Sequence, residues 1–321
     1  MPTGPTDPVW VRSTAQKEGF QQDAFEKAWR LAHFLGEIAT HPLLGPRLVL
    51  KGGTCINFFH APLPRLSVDL DVNYVGNIER ERMLQERPLV KEAIKSLATE
   101  HGYRMDEVAD EHAGWSARFL YKNTREQTES IKVDVNYLMR LTLFGVEEKE
   151  LPSVLDLDAP RIRCLATEDV YGGKLKALAV RAAPRDLYDA AAFYRGGIKH
   201  DPARLRKAFL FYCYTDDATL STVNLKAVRS LGSKDLREGL YPMLRQNDRP
   251  DPEELLGLVI PELQKMLELE SDEREFGSRL EKGMYEPELL FGPVEVSDRI
   301  RLHPAAEWRR RNPHGRLPGE P

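Results

Sequence analysis

Two carboxylates, two positions apart on a predicted strand, are the side chains in this sequence best placed to do chemistry. Asp69 and Asp71 alternate with the apolar residues Leu70 and Val72, and this period is typical of a half-buried strand. Both carboxylates therefore lie on one face, where their like charges repel each other. A hard divalent cation relieves that repulsion through oxygen ligands. The pattern predicts a Mg²⁺ site, with Mn²⁺ as the alternative ion.

A glycine turn precedes this strand. Gly52 and Gly53 follow an apolar run at 48–50, and Thr54 begins a predicted short helix. Adjacent glycines permit positive φ and a close backbone approach. The unpaired N–H groups at a helix start attract a phosphate. A phosphate cradle followed closely by paired carboxylates indicates a site for a nucleoside triphosphate, although either feature alone is usually a plain turn or a solvated strand face.

A third candidate acid lies further along the chain. Residues 115–121 and 131–138 are predicted strands joined by a polar turn, which favours an antiparallel hairpin. Lys132, Asp134 and Asn136 share the polar face of the second strand. Asp134 is therefore a candidate third metal ligand, and the alternative is a solvent-facing aspartate on a half-exposed strand.

A second informative region spans residues 166–195. Lys174 lies on a predicted helix that ends before a proline, and Asp186 and Asp189 lie three residues apart on the next helix, on one face. Taken alone, Lys174 would be an ordinary surface lysine. Arg181 is a candidate partner for the aspartates, and such pairs contribute little when exposed.

Length, net charge and cysteine content limit the classes of protein to which this chain can belong. The chain of 321 residues is long enough for two domains, and its net charge of −4 does not favour general binding of nucleic acid. Cys55, Cys164 and Cys213 are scattered, which argues against a disulfide scaffold and fits a reducing cytoplasm. No apolar run suits a membrane span and no secretion signal precedes the first helix, so we expect a cytoplasmic protein without a membrane partner.

The predicted elements change character near residue 164. Residues 1–163 combine strands and helices, with a helical region at 77–100 interrupted by Pro88 and a loop at 145–160. From 164 to 321 almost all periodicity is helical. A basic tail begins at about residue 307, and we expect it to be flexible, with RNA contact as the alternative. Its basic residues are Arg309, Arg310, Arg311 and Arg316.

The order of these motifs resembles a known signature. G-G-T, a short spacer and R-x-S-x-D-x-D, with Arg65 and Ser67 before the aspartates, resemble the nucleotidyltransferase signature of the DNA polymerase β superfamily. The later strings K-L-x-A-L and R-x-x-P-R-D-x-Y-D resemble the AbiEii/AbiGii toxin family, which includes the MenT toxins. Gly172 and Gly173 depart from the small-acidic pair of the family pattern.

The resemblance implies an α+β fold, in which an N-terminal polymerase β-like nucleotidyltransferase domain with a mixed sheet and helices is followed by an α-helical C-terminal domain. It implies that Asp189 completes the site beside Lys174, with Asp186 as the rival. The implied nucleotide-binding residues are Gly52, Gly53, Thr54, Arg65, Ser67 and Lys174; the implied metal ligands are Asp69, Asp71 and Asp134; the implied catalytic residues are Asp69, Asp71, Lys174 and Asp189.

The implied reaction is transfer of a nucleoside monophosphate (NMP) from a nucleoside triphosphate (NTP) with release of pyrophosphate. For this family the resemblance implies the 3′ end of tRNA as acceptor, a block of translation, and a cognate antitoxin in a type IV pair. Two alternatives stay open: the same chemistry on a small molecule or a protein, and a nucleotide-binding protein without catalysis. No motif marks the preferred base.

Overall fold

The computed structural model describes residues 7–60, 63–215, 220, 223, 225–293 and 296–313. The chain divides into two compact units. The first contains residues up to 137, 146–164 and 240–249, and the second contains 138–145, 165–239 and the chain from 250 onward. The units are therefore not divided by one boundary at 163/164. Residues 138–145 group with the later helices, and residues 240–249 group with the earlier unit.

One mixed sheet organises the first unit. Among the described residues it has seven strands in the order β3-β4-β5-β2-β1-β7-β6. Their bounds are β1 Leu48–Leu50, β2 Asp69–Tyr74, β3 Arg104–Asp110, β4 Gly114–Lys122, β5 Thr128–Asn136, β6 Val146–Lys149 and β7 Ile162–Leu165. β4 and β5 form the expected antiparallel hairpin, whereas β2 runs parallel to β5 and antiparallel to β1. The prediction of a mixed sheet is confirmed.

The alternation in the sequence explains the core of this unit. Leu70 and Val72 of β2 and Val133 of β5 are buried, as expected for the apolar positions of a strand with period two. The helices of the unit are α1 Pro8–Glu18, α2 Gln22–Thr40, α3 Gly52–Cys55 and α4 Arg80–Glu100, and a π-helical turn, Ile56–His60, follows α3. Phe34 of α2 packs against Phe119 of β4 at 5.2 Å between ring centroids.

Two local predictions in this unit were wrong. Pro88 lies inside the continuous helix α4 rather than interrupting it. Pro88 is exposed, so water can satisfy the carbonyl that loses its helical partner. The predicted loop at 145–160 contains β6, a strand too short and too acidic to show an apolar pattern. β3 and β7 were not predicted either.

The second unit is helical, as expected. Its helices are α5 Thr167–Arg181, α6 Pro184–Arg195, α7 Pro202–Thr215, α8 Leu225–Arg229, α9 Ser233–Gly239, α10 Pro252–Leu267, α11 Ser271–Leu280, α12 Glu288–Phe291, α13 Asp298–Arg301 and α14 Pro304–Arg311. The prediction of a flexible tail from residue 307 was wrong for the residues of α14. They form a helix on which Arg309 is buried. Arg316 lies outside the described residues.

No helix within the described ranges combines the length and the apolar character needed to cross a membrane.

Candidate active site

The register between β2 and β5 brings the candidate metal ligands together. Asp71 is the direct partner of Asp134 on the neighbouring parallel strand, and Asp69 is the partner of Lys132. Paired residues on adjacent strands point to the same face and lie about 5 Å apart. All three carboxylates therefore share one face of the sheet, and each is partly exposed. The sequence-predicted acids form one cluster.

Two side chains hold the Asp134 carboxylate. The Ser116 hydroxyl, from the other strand of the hairpin, donates a hydrogen bond to Oδ1. The Lys132 ammonium lies 2.8 Å from Oδ2. Burial acts to lower the pKa of Lys132, but the hydrogen bond to Asp134 and the charges of Asp134, Asp71 and Asp69 outweigh it and raise that pKa. Lys132 is thus a cation held by the carboxylate cluster.

The glycine turn lies against this cluster. Gly52 has φ +70°, and a Cβ at this position would be 2.7 Å from Oδ2 of Asp71. The backbone N–H of Lys51 donates to the carbonyl oxygen of Asp71 at 3.0 Å. Only glycine permits this φ together with this approach. The turn therefore places the backbone at the start of α3 beside the carboxylates, where a triphosphate and its cation would be bound together.

The side chains of Arg65 and Ser67 pack against the same turn. A Cβ at Gly53 would lie 2.9 Å from Nη2 of Arg65 and 3.4 Å from Oγ of Ser67. Both side chains are buried, at 2% and 6% exposure. Residues 65 and 66 are themselves tied to residues 243 and 244, since the Leu66 N–H donates to the Met243 carbonyl at 2.7 Å. A buried guanidinium against the turn favours an anion there.

The Thr54 side chain makes its contacts inside the protein. It is fully buried, its hydroxyl lies 2.8 Å from the Ser67 hydroxyl, and it donates to the carbonyl oxygen of Asp69. The hydroxyl is therefore engaged in fixing α3 to β2. This geometry favours a phosphate contact from the backbone of the turn over one from the Thr54 hydroxyl.

The charged side chains of the later motifs form an ion network in the second unit. The Lys174 ammonium lies 2.6 Å from Oδ1 of Asp186 and 3.0 Å from Oδ2 of Asp189. Arg181 binds Asp186 as well, through Nε at 2.7 Å. Burial would raise the pKa of Asp186, but Lys174 and Arg181 hold it well below its usual range. Lys174 is not the surface lysine of the alternative interpretation, because its side chain is 6% exposed.

The donor set of the carboxylate cluster fits a hard cation. Asp69, Asp71 and Asp134 offer oxygen ligands, which Mg²⁺ and Mn²⁺ prefer. Elsewhere among the described residues, His33, Glu37 and His101 also bring potential ligand atoms together. That group lies on α2 and at the end of α4, apart from the strands that carry the aspartates.

Lys132 and Ser116 were missed as site residues. Lys132 was placed on the polar face of its strand, and its spacing of two from Asp134 was the available signal. Ser116 could be found only from the hairpin register, in which Ser116 faces Asp134, because no local pattern marks it.

The mixed sheet presents three carboxylates on adjacent parallel strands beside a glycine turn, a geometry that could hold a cation next to a nucleotide phosphate. The family model described as "Nucleotidyl transferase AbiEii toxin, Type IV TA system" matches residues 33–269. The chain therefore belongs to the AbiEii nucleotidyltransferase toxin family and is an enzyme of that class.

The fold is similar to that of a solved toxin structure. MenT4, a nucleotidyltransferase toxin from Mycobacterium tuberculosis H37Rv, superposes with a TM-score of 0.62 at 18% identity, covering 84% of this chain and 92% of MenT4. JHP933 from Helicobacter pylori has a TM-score of 0.48 at 20% identity, covering 78% of this chain and 95% of JHP933. Among curated proteins, none matches the chain.

Proposed function

We propose that this enzyme is a Mg²⁺-dependent toxin that transfers an NMP from an NTP to the 3′ end of tRNA in the cytoplasm and so blocks translation. The observation that carries the proposal is the cluster of Asp69, Asp71 and Asp134 beside the Gly52 turn. Membership of a type IV toxin–antitoxin family supports an NTP substrate and a cognate antitoxin. Transfer to tRNA follows the resemblance of the motifs and is the step to be tested.

The residues of the first unit have distinct tasks in this proposal. Bound Mg²⁺ would neutralise the triphosphate and activate the acceptor hydroxyl. Asp69, Asp71 and Asp134 would hold the ion, and the backbone at Gly52 and Gly53 would bind the phosphates. The acceptor hydroxyl gives up its proton to solvent, its oxygen bonds to the α-phosphorus, the bond from that phosphorus to the oxygen bridging the β-phosphate breaks, and pyrophosphate leaves. Ser116 and Lys132 orient Asp134 through the contacts they make in the protein.

The tasks of Lys174 and Asp189 remain predictions. The resemblance assigns Lys174 to the nucleotide phosphates and Asp189 to the residue that completes the site. In the second unit Lys174 contacts Asp186 and Asp189 together, so the geometry does not choose between the two aspartates. Asp189→Asn and Asp186→Asn, compared for transfer rate and for thermal stability, separate a catalytic aspartate from one that only balances charge.

The experiment combines the protein with Mg²⁺, total tRNA and each α-³²P-NTP separately. The Asp71→Ala variant removes one predicted ligand. The matched control is Asp106→Ala, which removes an exposed aspartate of the same sheet. We expect label on tRNA from a preferred NTP with the native protein and the control, and none with Asp71→Ala.

The remaining outcomes distinguish the alternatives. Absence of label on tRNA with every NTP would overturn the tRNA proposal. Pyrophosphate release that then depends on an added small molecule or protein would indicate a different acceptor. Binding of NTP with Mg²⁺ but no pyrophosphate with any acceptor would indicate a nucleotide-binding protein.

A further inference from the structure

A second group of metal-binding side chains lies on the helices of the first unit. His33 and Glu37 are four residues apart on α2, and His101 caps the C-terminal end of α4. Nε2 of His33 lies 3.7 Å from Oε1 of Glu37, and Nε2 of His101 lies 3.6 Å from Oε2. The three ligand atoms lie within 4.8 Å of one another. Small side-chain movements would bring them to the distance of about 2.0–2.2 Å at which zinc binds nitrogen and oxygen.

The buried Nε2 atom of His33 favours a bound metal over a simple ion pair with Glu37. Its Nε2 is buried and has no hydrogen-bond partner within the described residues, and 3.7 Å to Glu37 is too long for one. A buried polar atom without a partner is costly and calls for an explanation such as an ion.

The surroundings hold the group in place while leaving it open. The Trp29 indole stacks on the His33 ring at 5.1 Å between centroids and fixes its plane. The side chains of His33, Glu37 and His101 are 14%, 30% and 23% exposed. An ion can therefore enter from solvent, and a water can occupy the remaining coordination position.

The ligand chemistry separates this group from the carboxylate cluster. Two imidazoles and one carboxylate suit Zn²⁺, whereas an all-carboxylate set suits Mg²⁺. We propose that His33, Glu37 and His101 form a second metal site, which binds Zn²⁺ and links α2 to the end of α4. The ion is structural: it stabilises the helical layer of the first unit and takes no part in nucleotide chemistry.

The test measures binding of metal to protein stripped with a chelator. The Asp69→Asn/Asp71→Asn double variant is used as the parent, so that the carboxylate cluster does not contribute. Zn²⁺ is titrated by calorimetry, and Co²⁺ is titrated as a probe whose visible absorption reports nitrogen and oxygen ligands in a low-symmetry site. His101→Gln and His33→Gln each remove a ligand from the parent. His112→Gln, an exposed histidine outside the group, is the matched control.

We expect one Zn²⁺ per chain in the parent and in the control, and at least a tenfold weaker affinity in each ligand variant. Zinc at about a hundred times its dissociation constant should raise the melting temperature of the parent by roughly 4 °C. Far-UV circular dichroism checks that the variants fold. An unchanged affinity in both ligand variants, or no rise in melting temperature with Zn²⁺ in the parent, would overturn the proposal.

Discussion

The two aspartate clusters of this enzyme have similar side chains in opposite surroundings. In the first unit, Lys132 and Asp134 are 43% and 26% exposed. In the second, Lys174 and Asp186 are 6% and 1% exposed. Water and a cation can reach the first cluster, whereas the buried carboxylates of the second depend on the neighbouring cations Lys174 and Arg181 for charge balance. An Asp–Lys pair in a sequence therefore does not by itself indicate a metal site, because its exposure decides whether a cation can reach the carboxylate.

Because the two clusters differ in exposure, we expect substitutions in the first to lower mainly activity and substitutions in the second to lower mainly stability. Asp69→Asn or Asp71→Asn should lower NMP transfer by about 10³-fold, because several kcal/mol of charge stabilisation are lost and each ~1.4 kcal/mol is tenfold. Stability should change by less than about 1 kcal/mol, since a like charge is removed. Transfer assays and denaturant unfolding measure both. Retained transfer in both variants would break the assignment of the first cluster.

The lysines of the two clusters provide the next contrast. Lys174→Met should lower the free energy of unfolding by about 3 kcal/mol, because it leaves buried carboxylates without their ammonium. Lys132→Met should cost less than about 1 kcal/mol, because its pair with Asp134 is partly solvated. Urea unfolding of both variants makes the comparison. Equal losses would show that exposure does not distinguish the clusters.

Another aspartate, Asp169 of α5, sharpens the contrast because it is buried and its hydrogen-bond donors among the described residues are uncharged. It accepts hydrogen bonds from the Tyr212 hydroxyl at 2.6 Å and the Phe144 N–H at 3.0 Å. Burial outweighs these bonds and raises its pKa to about 6. A raised folded pKa gives stability that is present below the unfolded pKa and is lost as pH rises through about 6.

The stability of the native protein relative to Asp169→Asn should therefore fall by roughly 2 kcal/mol between about pH 4 and pH 6. The comparison with a variant that does not titrate at this position cancels the other groups. Urea unfolding at several pH values measures it. A difference that is flat across this window would contradict the role of burial.

The smallest effect concerns the glycine turn of the first cluster. Gly52→Ala should cost about 1 kcal/mol through its positive φ and lower NMP transfer roughly tenfold, because the methyl group meets the Asp71 carboxylate. Gly197→Ala is the matched control, since Gly197 has φ +60° with nothing within 4 Å. It should lose similar stability and no activity. Equal activity of both variants would mean that the turn does not need its close approach.

Local patterns in the sequence predicted the parts of the site that are local. Asp69 and Asp71 share a face because of the strand period, and the glycine turn is read from neighbouring residues. The pairing of Asp71 with Asp134 depends on parallel strands far apart in the chain, and the register of such strands leaves no local mark. Likewise, the contacts of Lys174 with both aspartates depend on how α5 and α6 pack, which spacing alone does not fix.

The return of residues 240–249 to the first unit has a consequence for the order in which the enzyme matures. Arg65, which supports the glycine turn, lies in a segment tied to Met243 and Leu244. Contacts so distant in sequence form late. In a chain still on the ribosome, residues 65 and 66 therefore lack these contacts until residue 244 has emerged. Pulse-labelled hydrogen exchange during refolding should show the Leu66 amide protected after the β4–β5 hairpin, and earlier protection would contradict this order.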